Sequence, residues 1–200
     1  MATPTFYKKV INFAKKEGIA LIVDETQTGI GGTGKAWAHE YWYLNEGQEP
    51  DFVTFGGKSG VAGFFSNKKW ALEDAEIAAS MSAVDTGKLI KYGYVWDKIE
   101  AHNLLHYSHD TSSFLKIELE RVGKQTGEVH NVRGYGTHLA FDTSDGYLVQ
   151  RWLWRNGINV GRCGPNTIAL RPALTLGVYD AAHIRDVLFK YHPNFVTNYE

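Results

Sequence analysis

The sequence predicts an α/β protein. Three observations carry that prediction: an amphipathic helical pattern over Thr5 to Glu17 runs into the buried-strand pattern "IALIVDE", a second buried run "DFVTF" follows at 51 to 55, and the last third alternates short apolar runs with helical periodicity.

Taken in order, Phe6, Val10, Phe13 and Ala14 recur at helical spacing with Lys8, Lys9, Lys15 and Lys16 between them, and Gly18 supplies the stop. "IALIVDE" is continuous, rich in branched residues and ends in two carboxylates, which predicts a parallel strand buried on both faces. "QTGIGGTGK" (27 to 35) is a glycine loop, "AWAHEYWYL" (36 to 44) a short aromatic helix or turn, and "VAGFF" (61 to 65) a third strand. Residues 87 to 122 are mostly helical: "GKLIKYGYVWDKIEAHNLL" places an apolar residue every three to four positions, and "TSSFLKIELERV" opens on hydroxyls suited to an N-cap. "VHNVRGYGTHLAFDT" predicts two short strands around a Gly134-Tyr135-Gly136 turn. A helix near 146 to 156, two more strands in "INVGRCGPNTIALRPAL" and a last helix from Asp180 to Lys190 complete the chain. A boundary within 85 to 105 gives a first domain over 1–86, a connecting helix over 87–106 and a second domain over 107–200.

Two hundred residues, 44% of them hydrophobic, suffice for a buried core in one domain or two small ones. A formal net charge of −1 offers no field for nucleic acid or an anionic membrane surface. The longest apolar stretch, Ile19 to Val23, is far shorter than the roughly 20 residues that span a bilayer. The first residues show neither an apolar signal core nor an arginine-rich transit pattern, so the expectation is a soluble chain with no membrane insertion. Cys163 is the single cysteine, which excludes an internal disulfide and points to a reducing compartment; in "GRCGPN" it reads as a structural cysteine in a loop.

Asp24 and Glu25 stand at the carboxyl end of a predicted strand, where open α/β sheets bind ligands. A carboxylate there is costly unless a cation or several donors meet it, and an acidic strand end capping the next turn is the plainer reading. "GIGGTGK" fits neither GxxxxGK[ST] nor GxGxxG, so it is a weak nucleotide signal. His102, His106 and His109 suit an exposed helix face better than a metal site, since no third matched ligand accompanies the i, i+4 pair.

Together and in order, "LIVDETQTGIGGTGKAWAHEYW", "PDFVTFGGK" with "GFF", "VRGYGTHLAFD" and "IALRPAL" resemble the class III (ornithine/4-aminobutyrate type) pyridoxal-phosphate aminotransferases, nearest their 4-aminobutyrate branch. The likeness runs from about residue 4 to the C-terminus. It implies the C-terminal half of a fold-type I transferase: part of the large domain's mostly parallel sheet plus the small α/β C-terminal domain. It also implies pyridoxal phosphate, an electron sink when its ring nitrogen is protonated against a carboxylate. By resemblance Asp24 is that carboxylate, Gln27 lies beside the ring oxygen, and Arg171 grips the substrate carboxylate by a bidentate contact. Arg133 falls in the family's R-G-x-G stretch and reads as structural. Eukaryotic members of the branch suggest mitochondria, with the cytoplasm as the alternative.

Three departures bear on catalysis. Without a gap, "DFVTFGGK" puts Gly57 where the family has its Schiff-base lysine and Lys58 one residue later, which points the side chain the other way at a strand end. Met81 falls at the threonine that reaches the cofactor phosphate, and a thioether cannot donate to phosphate; Ser80 or Ser82 could serve only after a one-residue shift. The family's phosphate loop and ring-stacking aromatic belong to a first half that these 200 residues do not match. The first reading is therefore a non-catalytic remnant kept as a structural or interaction subunit, its sheet edge covered by other protein chains. The alternative is the active half of a split aminotransferase, moving an amino group from an omega-amino acid to a 2-oxo acid with Lys58 as the reactive amine. A module holding pyridoxal phosphate without a covalent bond lies between them.

Overall fold

Helix α1, Pro4–Lys16, has both ends encoded: Thr3 Oγ1 accepts the Phe6 N–H at 3.3 Å, Pro4 occupies the first turn, and Gly18 follows at φ +67°. It buries Ile11 and Ala14, and Tyr7 stacks on Trp42 at 4.0 Å between ring centroids, seating the helix on the 3₁₀ turn Ala38–Trp42. The computed structural model describes residues 2–57, 60–71, 73–74, 76 and 85–193. Among them the chain divides into two units, Met1–Asn103 and Leu104–Glu200.

The first unit holds a three-stranded sheet in the order β1-β2-β3, with β1 Ile22–Asp24, β2 Phe52–Phe55 and β3 Gly63–Ser66. β1 runs parallel to β2 with Asp24 opposite Thr54, and β3 runs antiparallel to β2. The expectation that "IALIVDE" is buried on both faces is corrected: among the described residues β1 has three residues and a single neighbouring strand, Val23 is buried, and Ile22 is 63% exposed. Asp51 locks the sheet's entry, accepting the Leu21 N–H at 2.8 Å, Asn67 Nδ2 at 2.9 Å and Trp70 Nε1 at 3.1 Å.

Helix α2, Thr86–Ala101, is capped by Asp85, whose Oδ1 accepts the Gly87 and Lys88 N–H groups. It stops at His102, where Asn103 adopts φ +48°, and α3 runs on from Leu104–Thr126. The predicted helix start at "TSSF" is corrected. Thr111 and Ser112 lie in the middle of α3 and are buried, and Ser112 Oγ donates to the His109 carbonyl instead of capping.

The second unit carries an antiparallel sheet in the order β4-β5-β7-β6: β4 His130–Tyr135, β5 His138–Asp142, β6 Gly161–Cys163 and β7 Thr167–Leu170. The β4–β5 turn is Gly136-Thr137, not one centred on Tyr135. Gly134 stays inside β4 at φ +120° because a Cβ there would sit 1.9 Å from the His138 carbonyl oxygen. Leu139 and Phe141 of β5 with Ile168 and Leu170 of β7 face one side, on which α3, α4 (Gly146–Arg155) and α5 (Val178–Phe189) pack Leu115, Leu119, Val149, Leu153, Ile184 and Leu188. No helix among the described residues is long and apolar enough to cross a membrane.

Candidate functional site

Asp24 closes β1 and is exposed. Its Oδ1 accepts the Thr26 N–H at 2.9 Å and the Thr54 hydroxyl at 3.0 Å. The Thr26 backbone N–H first, then the Thr26 and Thr54 hydroxyls, hold the carboxyl below the usual carboxylate range. Asp24 is thus an exposed, oriented anion at the strand end, the kind of group with which a protonated ring nitrogen pairs. Gln27, three residues on, is exposed in the following turn.

Beside that turn lies the end of β2. The Glu25 N–H donates to the Thr54 carbonyl at 3.0 Å, so the β1 turn rides directly on the β2 terminus. Gly57 sits there at φ +61°. The structure therefore brings Asp24, Thr26, Thr54 and Gly57 together at one sheet end, with Gln27 in the same turn. Lys58 and Met81, with Ser80 and Ser82, lie outside the described residues. Arg171 belongs to the second unit: it follows β7, is exposed, and lines an open cleft of about 300 Å³ with Ile158, Asp180 and His183.

The residue that sequence reasoning undervalued is Glu25. It is 2% exposed, and its carboxylate accepts the Ala38 N–H at 2.9 Å, the His39 N–H at 2.8 Å and the Thr28 hydroxyl at 2.7 Å, with His39 Nδ1 also 2.8 Å away. Burial alone would push this carboxyl up; the His39 and Ala38 contacts with the Thr28 hydroxyl outweigh it and hold it below the ordinary value. The clamp ties the glycine loop and the 3₁₀ turn to the end of β1, behind Asp24. Its signal was available: a buried strand-end carboxylate needs several donors, and the loop brings them.

The remaining candidates are placed elsewhere. Arg133 is structural: its Nη2 pairs with Asp142 at 2.9 Å and its Nη1 donates to the Asn131 carbonyl. With that pair, the Thr167 hydroxyl and the Asn131 amide, Asp142 is lowered to about 2. Cys163 ends strand β6 opposite Thr167 and is exposed, a correction to the loop reading, because only Gly164-Pro165-Asn166 turn the chain. His102 ends α2, and His106 faces Asp110 at 3.5 Å on an exposed face; no group of three or more metal-ligating side chains occurs among the described residues.

Comparison with known proteins follows the same outline. The family model described as aminotransferase class-III matches residues 1–190. A 4-aminobutyrate aminotransferase of Dictyostelium discoideum is 34% identical over 95% of this chain and 38% of its own length. The mitochondrial 4-aminobutyrate aminotransferase of Homo sapiens is 33% identical over 86% of this chain and 35% of its own length. The chain thus spans a little over a third of the curated relatives it matches. Among solved structures, a lysine aminotransferase from M. tuberculosis superposes with a TM-score of 0.81 at 24% identity, over 96% of this chain and 46% of that one. A transaminase from the marine bacterium Virgibacillus gives 0.81 at 18% identity, over all of this chain and 51% of that one. At these identities the superpositions establish the fold, the C-terminal half of the transferase architecture.

Proposed function

The chain belongs to the class-III aminotransferases, and we propose that within that family it is a 4-aminobutyrate aminotransferase-like protein that performs no transamination and serves as a structural or interaction subunit of a larger assembly. The observation that carries this reading is Gly57, which stands without a side chain where the family presents its reactive lysine. The cofactor chemistry needs two protein groups at this sheet end, and they fare differently. Asp24 fits pyridoxal phosphate: it is an exposed carboxylate, oriented by Thr26 and Thr54 and held below the usual carboxylate range. The amine does not fit, since no nitrogen stands at position 57 to join the cofactor aldehyde. No reaction step follows from a site so divided.

The exposed apolar surface supports the interaction role. Phe6, Val10 and Phe13 form a stripe along α1, Ile22 lies on the sheet edge, and Phe64 and Phe65 lie on β3, each at least 39% exposed. Other protein chains are the proposed cover, a dimer-type partner among them, and mitochondria are the proposed location. The human and worm relatives carry that location in their names.

The retained Asp24 and Gln27, with Arg171 exposed at the end of β7, favour one second reading: the active half of a split enzyme acting on an omega-amino acid, with Lys58 supplying the amine. Incubation of the chain and of its native assembly with pyridoxal phosphate, followed by borohydride reduction and peptide mapping, separates the two. The subunit reading expects no specific reduced adduct at Lys58 and stable stoichiometric partners on native isolation. A reducible band that disappears in Lys58→Ala, or a lone monomer, overturns it.

A further inference from the structure

Resting on the reading of Gly57 as the family's lysine position, we infer that this position is closed to every side chain, so that the lost amine cannot be restored by returning a lysine alone. Two independent features close it. Gly57 has φ +61°, a backbone conformation that costs little only for glycine. A Cβ built on it would also lie 2.7 Å from the Thr26 carbonyl oxygen, closer than carbon and oxygen approach without bonding. That oxygen is main chain and cannot swing aside as a side-chain tip would.

Thr26 is itself pinned. Its N–H is held by Asp24 Oδ1, its neighbour Glu25 donates to the Thr54 carbonyl, and the Glu25 carboxylate is locked to residues 28, 38 and 39. Moving the carbonyl means moving the turn that carries Asp24 and Gln27. Gly56 is not sealed in this way: a Cβ there meets the Ala62 Cβ at 3.4 Å and Thr26 Cγ2 at 3.8 Å, ordinary packing distances. The closure is specific to position 57. The main chain of the turn that carries Asp24 thus occupies the space a Cβ at position 57 would need.

Gly18 supplies the control. It has φ +67° in the same unit, with nothing within 4 Å of its virtual Cβ, so Gly18→Ala reports backbone strain alone and Gly57→Ala reports strain plus the Thr26 contact. Gly57→Ala is expected to lower Tm by about 4–8 °C more than Gly18→Ala; failure of G57A to fold where G18A folds also supports closure. Equal Tm for the two variants overturns it. As a second readout, Gly57→Lys is incubated with pyridoxal phosphate, reduced with borohydride and mapped by mass spectrometry. Labelling at position 57 no higher than at surface lysines is expected, and preferential labelling there overturns closure while leaving the proposed function of the natural chain intact. Specific labelling of Lys58 in the natural chain does the reverse.

Discussion

The two units solve the problem of burial differently. Residues 104–193 hide Leu115, Leu119, Phe141, Val149, Leu153, Ile168, Ala181 and Leu188 at 2% exposure or less, in one cluster where three helices share a single sheet face. Among the described residues of the first unit, the buried apolar side chains are Ile11, Ala14, Val23, Ile30, Pro50 and Ile99, while Phe13, Ile22, Phe65, Ile90 and Tyr94 stand more than half exposed. The first unit is held instead by polar clamps, Asp51 and Glu25, and by aromatic pairs such as Phe55 with Phe65 at 5.0 Å. A unit with its own core can stand alone. A unit built on clamps and exposed rings leaves apolar side chains in water.

The contrast breaks most clearly through the core. Phe141→Ala is expected to destabilise the second unit by about 3–5 kcal/mol, because a fully buried ring leaves a cavity that a close-packed interior fills only in part. Hydrogen exchange resolved by peptide, read against denaturant, is expected to show this loss across 104–191 and little change in residues 2–57. A loss spread evenly over both units would mean that the first unit borrows its stability from the second.

Next in size is Glu25→Ala. It strips the acceptor from the Ala38 and His39 N–H groups and from the Thr28 hydroxyl, leaving partly buried donors unsatisfied at a cost of about 1–3 kcal/mol. Faster exchange at 26–42 with 104–193 unchanged is the expected pattern. Unchanged exchange at 38 and 39 would show that the clamp does not organise the loop.

The same contrast marks what could be read from the sequence. The second unit was legible nearly element by element, because a one-sided antiparallel sheet writes alternation into "HLAFD" and "TIAL" and helix periodicity into its three helices. Its errors were local: Gly134 marks a tight strand approach instead of a turn, and Thr111 and Ser112 look like caps until their buried hydroxyls are placed. In the first unit "IALIVDE" carries the signature of a two-sided burial that these residues do not achieve, so period and composition overstated it. The site divides likewise. Asp24, Gln27 and Arg171 were named by motif and order, and Gly57 by its displacement from the lysine position. Glu25 was flagged only as a costly strand-end carboxylate, and the Thr26 carbonyl not at all, because their partners are brought in from 13 to 31 residues away.

Acid supplies a smaller test of the second unit. Asp142 is lowered to about 2 in the fold, by Arg133 first and then Thr167 and Asn131, against an ordinary value near 4. A lowered folded value means that the stabilisation is complete above the ordinary value and is lost as pH falls through about 2. Unfolding of the second unit is expected to ease steadily from pH 4 down to about 2, and Asp142→Asn is expected to flatten that slope and to cost about 1 kcal/mol near neutrality. A slope unchanged by the substitution would assign the acid sensitivity to other carboxylates.

The smallest effect in the isolated chain is the most informative about cover. Phe65 is 55% exposed and meets Phe55 and Trp37 only through ring contacts at 5.0 and 5.6 Å. About half of the residue is already in water, so Phe65→Ala removes little burial and two aromatic contacts, an expected loss of about 0.5–1 kcal/mol in the first unit. If a partner covers β3, the ring's remaining area is buried only in the assembly. The same substitution should then cost at least twice as much there, read as a larger increase in the exchange of 52–66 over the unsubstituted protein in the assembly than in the isolated chain. Leu115→Ala, deep in the second unit, should cost the same in both settings. Equal effects of Phe65→Ala with and without the assembly would remove β3 from the covered surface and leave the α1 stripe of Phe6, Val10 and Phe13 as the face to test.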